Sequence, residues 1–408
     1  MNAPLSLDVP VVVNHEPRLR TTSLCFALGF GARHDPPGSS GVAHMLEHLV
    51  MSTPFPDGLS LCERIEHRGG ECNAMTGPES LVVHAQVLNE DAAEVAEWIC
   101  RALLDLRVDQ ERLDTERRVV LQELSAAASD DADAVQEAFL GRLFAGHPLG
   151  SPVGGLPGTV SGLTVDSVRD AHDRALRTAP FAVSSVGGLT EEALREALSV
   201  AGLGRMARGA VPDPGLGSTG GVPGPLTPGL VERWPDEFCW MLVGGRAPHA
   251  TDPRRHASAI LGYLLGGSPA SPLYDRFRNQ DALAYSFRSW SRSYSDTGAW
   301  RMLAGCEPDN APRLLAAFRE VLDQVAVDGP QEQAFLAAKR QATVEAVREA
   351  EAPLDLAIVL ATQRLLSERV WDADEEIAAL KAVTAEQVRG AAAELSAQLI
   401  AVIRPEGR

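Results

Sequence analysis

Three observations predict an α+β fold in two halves. Each half reads as strands first and helices after, not as the strand–helix alternation of a parallel sheet. A Gly- and Pro-rich stretch at residues 208–229, "RGAVPDPGLGSTGGVPGPLTPG", interrupts the apolar periodicity almost at mid-chain. The 408 residues also exceed what one hydrophobic core usually serves. The expected organisation is a first domain at 1–207, a linker at 208–229 and a second domain at 230–408.

In the first half, "VPVVV" and "TTSLCFALGFGA" are apolar, β-branched runs bounded by polar turns and predict strands. "SSGVAHMLEHLVM" follows with serines suited to an N-cap and with Val42, Leu46 and Leu49 at helical spacing. "SLCERIEHRG" predicts a second helix, ended by Gly69-Gly70, and "ECNAMT" and "SLVVHAQVL" predict two more strands. Helices are expected at 91–105, 109–128 and 131–144, then the strand "APFAVSSVGG" and the helix "TEEALREALSVA", capped at Thr190. The second half gives strand "EFCWMLVGGRA", helices "RRHASAILGYLLGG" and "SPLYDRFRNQ", and strands "LAYSFRSWS" and "AWRMLAGC". Helices from 308 to 395 and a last strand, "AQLIAVIR", complete it.

Composition narrows the function classes. At 45% hydrophobic and 23% charged the chain reads as ordinary soluble protein, with no run approaching about 18 apolar residues. Its start, "MNAPLSLDVPVVV", lacks a basic region followed by a long apolar core, so a cytoplasmic protein with no membrane partner is expected. A net charge of −18 argues against nucleic acid, because phosphate binding needs concentrated Lys and Arg. Cys25, Cys62, Cys72, Cys100, Cys239 and Cys306 form no Cys-x-x-Cys pair, which suggests neither a disulfide framework nor a thiolate metal cluster.

The chemistry concentrates in "GVAHMLEHLVMS", residues 41–52. Residues four apart share a helix face, so His44 and His48 can present two imidazoles to one ion, and zinc suits that pair. Glu47, three residues from His44, can stand beside the ion without coordinating it and act as a general base toward water. This is the inverted order H-x-x-E-H. A catalytic zinc needs a third protein ligand. In "LDTERRVVLQELSA", Glu116 and Glu123 are seven apart, two helical turns, so one could bind the ion while the other orients a histidine. The alternative is two partly buried helix histidines paired with carboxylates and no ion.

These residues resemble the pitrilysin-like zinc peptidases, the inverted-motif M16 family, and in particular bacterial members similar to mitochondrial processing peptidase. "GVAHMLEHLVMSTP" looks like the family's metal-binding helix, "GGECNAMTGPESLVVHAQV" like the strand pair after it and "ERRVVLQELS" like the helix with the distal glutamate. "HPLGSPVGGLPGTVSGLT" and "SPLYDRFRNQDALAYSF" match two further stretches. The resemblance implies that His44, His48 and Glu123 hold one Zn2+ per chain, that Glu47 activates water and that Glu116 supports a ligand. Asn73 and Thr76 fall where the family supports the site. Arg278 and Tyr285 match residues that stabilise the oxyanion. A guanidinium and a phenol can both donate to such an oxygen. "RNQDALAYSF" departs from the family in lacking a basic run and a Gly before Leu-Ala-Tyr, so Gln280, Asp281 and Ala282 are expected to alter local substrate preference.

The implied fold is two homologous domains, each a mainly antiparallel sheet packed with helices, together half of a clamshell that closes with a second chain around a chamber. The implied activity is a zinc endopeptidase acting on peptides or unfolded segments, leader or processing substrates among them. Both halves of the site are present in one chain, which favours a homodimer; a heterodimer with a homologous subunit stays open. A non-catalytic partner subunit, or a zinc-binding assembly protein that hydrolyses nothing, are the competing readings. "SLVVHAQVL" is expected at a sheet edge, where an extended peptide could add by backbone hydrogen bonds, with His84 structural.

Overall fold

The computed structural model describes residues 9–203, 223–224, 226–231, 233–266, 268–284, 286–367 and 369–407. Tyr285 and residues 208–222 of the expected linker lie outside the described residues. The chain divides into two compact units. The first gathers residues 9–124, 151–203 and 349–371; the second gathers 125–150, the described residues from 223 to 348, and 372–407.

The first unit is built on a five-stranded sheet of β1 (Val11–His15), β2 (Thr21–Leu28), β3 (Glu71–Thr76), β4 (Leu81–Leu88) and β5 (Phe181–Gly187). Their order is β1-β5-β2-β4-β3, antiparallel except for the β1–β5 pair. Strand β2 shows how the sheet serves two layers. Leu24, Phe26 and Leu28 pack into the larger core on one face, and Cys25 and Ala27 into a smaller cluster on the other, as the two-residue period requires. The larger core is closed by α1 (Val42–Ser52), α2 (Leu61–Glu66), α3 (Ala92–Leu104), α4 (Gln110–Ala128), α7 (Val165–Thr178) and α8 (Glu191–Val200), with the short α6 (Pro157–Ser161) between.

The second unit has a four-stranded antiparallel sheet, β7-β8-β6-β9, from β6 (Cys239–Ala247), β7 (Ser286–Ser293), β8 (Gly298–Cys306) and β9 (Ile400–Arg404). Met241, Val243, Trp300 and Met302 pack against α9 (Arg255–Gly266), α11 (Ala311–Asp328) and α15 (Ala385–Ala397). Helices α12 (Glu332–Glu351) and α14 (Ala373–Ala382) complete that layer. Leu242, Ala299 and Leu303 face the other way, onto α5 (Asp131–Leu143).

Each unit thus repeats one plan, and each takes the helix on its sheet's second face from the opposite half of the chain. Helix α13 (Pro353–Leu366) lies on β2 and β5 through Leu356, Ala357, Leu360 and Ala361, and Ser184 Oγ donates to the Ala357 carbonyl at 2.5 Å. Helix α5 lies on β6 and β9, where the Arg142 guanidinium donates to the Ala401 carbonyl at 3.0 Å.

Two expectations change. Strand β4 is an interior strand between β2 and β3, so the first sheet's edge strands are β1 and β3; the Val-rich β4 sequence reflects burial on both flanks. The predicted helix "SPLYDRFRNQ" is a short α10 (Pro272–Tyr274) that widens into a π-turn at Asp275–Gln280, where Phe277 is fully buried.

Candidate metal centre

The metal-binding side chains lie on two helices of the first unit. Helix α1 buries Val42, Met45, Leu46, Leu49 and Val50, and that apolar stripe fixes its rotation and leaves His44, Glu47 and His48 only half-buried on one side. Its start departs from expectation. Neither serine caps it: Gly41 is the N-cap, in the left-handed region at φ 95°, and makes no side-chain cap. A Cβ at Gly41 would stand 2.7 Å from the Gly154 carbonyl, so the residue is also fixed by space. The orphan amides are served from a distance instead. Asp35 Oδ2 accepts from the Gly41 amide at 2.6 Å and Oδ1 from the Ala43 amide at 3.0 Å.

Asp35 is the functional residue that the sequence does not flag, because a carboxylate six residues ahead of a helix matches no local capping pattern. Burial pushes its carboxyl up to about 7, against the pull of the Gly41 and Ala43 amides and of Arg174. The folded pKa then lies above the unfolded one, so the folded chain binds the extra proton between about pH 4 and 7 and loses stability as pH rises through that window. Asp35→Asn cannot ionise. Its stability relative to the wild type is expected to improve by about 1–3 kcal/mol between pH 5 and pH 8. Urea unfolding at the two pH values reads this; a constant difference would mean that Asp35 stays ionised throughout.

Helix α4 delivers the carboxylates. Glu123 Oε2 lies 3.2 Å from His48 Nε2 and 3.7 Å from His44 Nε2, and the two imidazole rings meet nearly edge to face with centres 4.8 Å apart. Glu116, two turns earlier and buried, places Oε2 3.4 Å from His48 Nδ1, on the far side of that ring. Burial lowers the pKa of His44, with the His48 ring acting the same way and Glu47 and Glu123 opposing; the neutral imidazole is the form that ligates.

This donor set fits zinc. Bonds of about 2.0–2.2 Å in a tetrahedron put ligand atoms about 3.3–3.6 Å apart, and the two His–Glu123 separations bracket that spacing. One ligand atom from each of His44, His48 and Glu123 falls within 4.8 Å of the others. The His44 ring also lacks partners of its own: its Nδ1 is buried without a hydrogen bond, and 3.7 Å is too long for one from Nε2 to Glu123. A cation among the three would give Nε2 the partner it lacks.

The other predicted residues are placed as follows. Thr76 Oγ1 reaches the Ala43 carbonyl at 3.5 Å, tying β3 to the metal-bearing helix next to His44. Asn73 is exposed on the edge strand, opposite His84, and its Oδ1 accepts from the Ala74 amide at 2.9 Å. Arg278 lies in the π-turn of the second unit, its guanidinium carbon 5.4 Å from the Tyr274 ring centre. Tyr285 lies outside the described residues. The stretch at 147–164 also gains a role: Gly154 backs onto His44, since a Cβ there would stand 3.6 Å from His44 Nδ1 and 2.7 Å from Leu124.

An α+β unit whose helix pair brings two imidazoles and a carboxylate to one point, with a further glutamate on the same helix as the imidazoles, defines a zinc-dependent hydrolase. Residues 10–155 match the family model described as insulinase, peptidase family M16, and residues 162–342 match the one described as peptidase M16 inactive domain. An uncharacterized zinc protease of Mycobacterium leprae is 31% identical over 320 residues, 78% of this chain and 72% of that protein. The uncharacterized zinc protease YmxG of Bacillus subtilis is 24% identical over 98% of this chain and 97% of its own. The fold matches that of a peptidase M16 inactive domain from Pseudomonas fluorescens, with TM-score 0.85, 14% identity and coverage of 98% and 95%. It also matches a protease from Helicobacter pylori, with TM-score 0.84, 17% identity and coverage of 99% and 98%. The chain belongs to peptidase family M16, with its metal site in the first half and the family's inactive domain in the second, and it is a zinc metalloendopeptidase.

Proposed function

We propose that His44, His48 and Glu123 hold the zinc ion, that Glu47 is the general base and that Glu116 orients His48 through its second ring nitrogen. Zinc bound there supplies Lewis acidity toward the scissile carbonyl and makes water easier to deprotonate. Glu47 takes a proton from the attacking water and hands it to the departing amine as the C–N bond breaks. Arg278 and Tyr285 donate to the oxygen of the tetrahedral adduct. Asn73 and Thr76 support the site from β3, an edge strand of the first sheet, and that edge receives the peptide as an added strand. The observation that carries the reading is the convergence of His44, His48 and Glu123 within 4.8 Å, with Glu47 one helical turn from His44.

The finer reading is a bacterial processing peptidase similar to the mitochondrial enzyme. It has a zinc-bearing domain at 1–207 and a substrate-holding domain at 230–408, and works as a homodimer or beside a homologous subunit. Its substrates are leader-type or unfolded peptides. We place it in the cytoplasm: all six cysteines are free thiols, as a reducing compartment keeps them, and no described helix is long and apolar enough to cross a membrane. Protein loaded with one equivalent of zinc is expected to cut members of a diverse peptide library at internal bonds, read by mass spectrometry. Chelation should abolish the cuts and zinc should restore them. A library left intact by the zinc-loaded protein would overturn the peptidase reading.

A further inference from the structure

The second unit carries a concentration of positive charge that the peptidase reading does not use. Arg288, Trp290 and Arg292 follow at two-residue spacing on β7 and therefore share one face. Arg301 is the Cα partner of Trp290 across the β7–β8 ladder and joins that face. The four side chains, with Ser289 and with Gln136 from α5, line a cavity of about 310 Å³. Arg288 and Arg292 stand exposed at its mouth, while Arg301 is only 5% exposed. The guanidinium carbons of Arg288 and Arg301 lie 4.7 and 4.9 Å from the Trp290 ring centre, and that of Arg292 lies 5.8 Å from the Tyr294 ring centre.

What sets this group apart is the absence of counter-charge in a chain of net charge −18. By contrast, the half-buried Arg255 of the same unit is neutralised, holding Glu376 through both terminal nitrogens at 3.0 and 2.5 Å. Among the described residues no carboxylate pairs with Arg288, Arg292 or Arg301, and the buried Nε of Arg301 has no hydrogen-bond partner. Burial pushes the Arg301 guanidinium down from its usual pKa; Tyr294 opposes this, and the like charges of Arg292 and Arg288 add to it. A buried, unpaired cation beside two others is costly unless an anion joins it, and planar guanidinium groups match the two-oxygen edge of a carboxylate or phosphate.

We propose that this face is a binding site for an oxyanion, a carboxylate or phosphate group, seated on Arg301 and flanked by Arg288 and Arg292. All of its lining residues belong to the second unit, and none is among the residues assigned to the peptidase reaction. Two sources share the chemistry, a small free polyanion and the acidic side chains of a peptide. The test is calorimetric titration of the zinc-loaded protein at low salt with citrate, inorganic phosphate and tetraglutamate in separate arms. Saturable binding of at least one probe is expected, weakened at least about tenfold by Arg301→Gln and by high salt. Because Arg301 is buried and its replacement can disturb folding, Arg292→Gln at the exposed mouth is the second variant, with the same direction expected. Binding of citrate or phosphate alone assigns a small solute; stronger binding of tetraglutamate assigns a peptide. No saturable heat with any probe, or unchanged affinity in Arg292→Gln, overturns the proposal. Zinc content and peptide cleavage, measured on the same samples, report on the peptidase reading independently.

Discussion

Replacing Glu47 by Gln is expected to lower peptide hydrolysis by about 10²- to 10⁴-fold while the protein keeps its zinc. The size follows from the role. A general base contributes a proton transfer in the rate-determining step, and Gln has nearly the same shape but cannot accept the proton. Retention of zinc follows from the geometry: the converging ligand atoms belong to His44, His48 and Glu123, not to Glu47. Gln and Glu have similar helix propensities, so α1 should keep its rotation and its buried stripe of Val42, Met45, Leu46 and Leu49. Zinc stoichiometry by elemental analysis and cut positions by mass spectrometry measure the two halves of the expectation separately. Activity within about threefold of the wild type would remove Glu47 from the role of base. Loss of zinc would instead make Glu47 part of the coordination, and the assignment of Glu123 would need revision.

The difference between what is legible in the sequence and what is not is one of range. Helices α3, α4 and α5 fall within one residue of their expected bounds, because helical periodicity and capping are properties of neighbouring residues. The His44–His48 pair is legible for the same reason, since a four-residue spacing already states a shared helix face. Spacing alone makes Glu116 and Glu123 legible as a pair; their division of labour is implied only by the family resemblance, because physically it depends on how α4 lies against α1. The structure puts Glu123 against both imidazoles and Glu116 behind His48. Asp35 escapes a sequence reading because its capping bonds span a turn that no short pattern describes. The interior position of β4 escapes it because a two-residue alternation reports which faces are buried and says nothing of which strands lie on either side. The placement of α13 on the first sheet is beyond local reading altogether: its pairing with β2 and β5 joins residues more than 170 positions apart.

The division of labour on α4 gives the second large effect. Glu123→Gln is expected to abolish stoichiometric zinc binding, whereas Glu116→Gln should weaken it by about 10- to 100-fold and leave a measurable site. The first replacement presents a neutral amide where an anionic ligand is needed, to an ion that favours nitrogen from histidine and charged oxygen. In the second, the new amide could still accept from His48 Nδ1 through its carbonyl oxygen and so preserve the ring's orientation, but without the charge that raises the basicity of Nε2. Both replacements are nearly isosteric, and Glu116 is buried while Glu123 is half-exposed, so a purely structural effect would fall on Glu116→Gln. Competition titrations with a chromophoric chelator rank the two affinities, and thermal unfolding of the zinc-free proteins reports the structural contribution alone. The reverse order of affinities, with Glu116→Gln losing zinc and Glu123→Gln keeping it, would transfer the third ligand to Glu116.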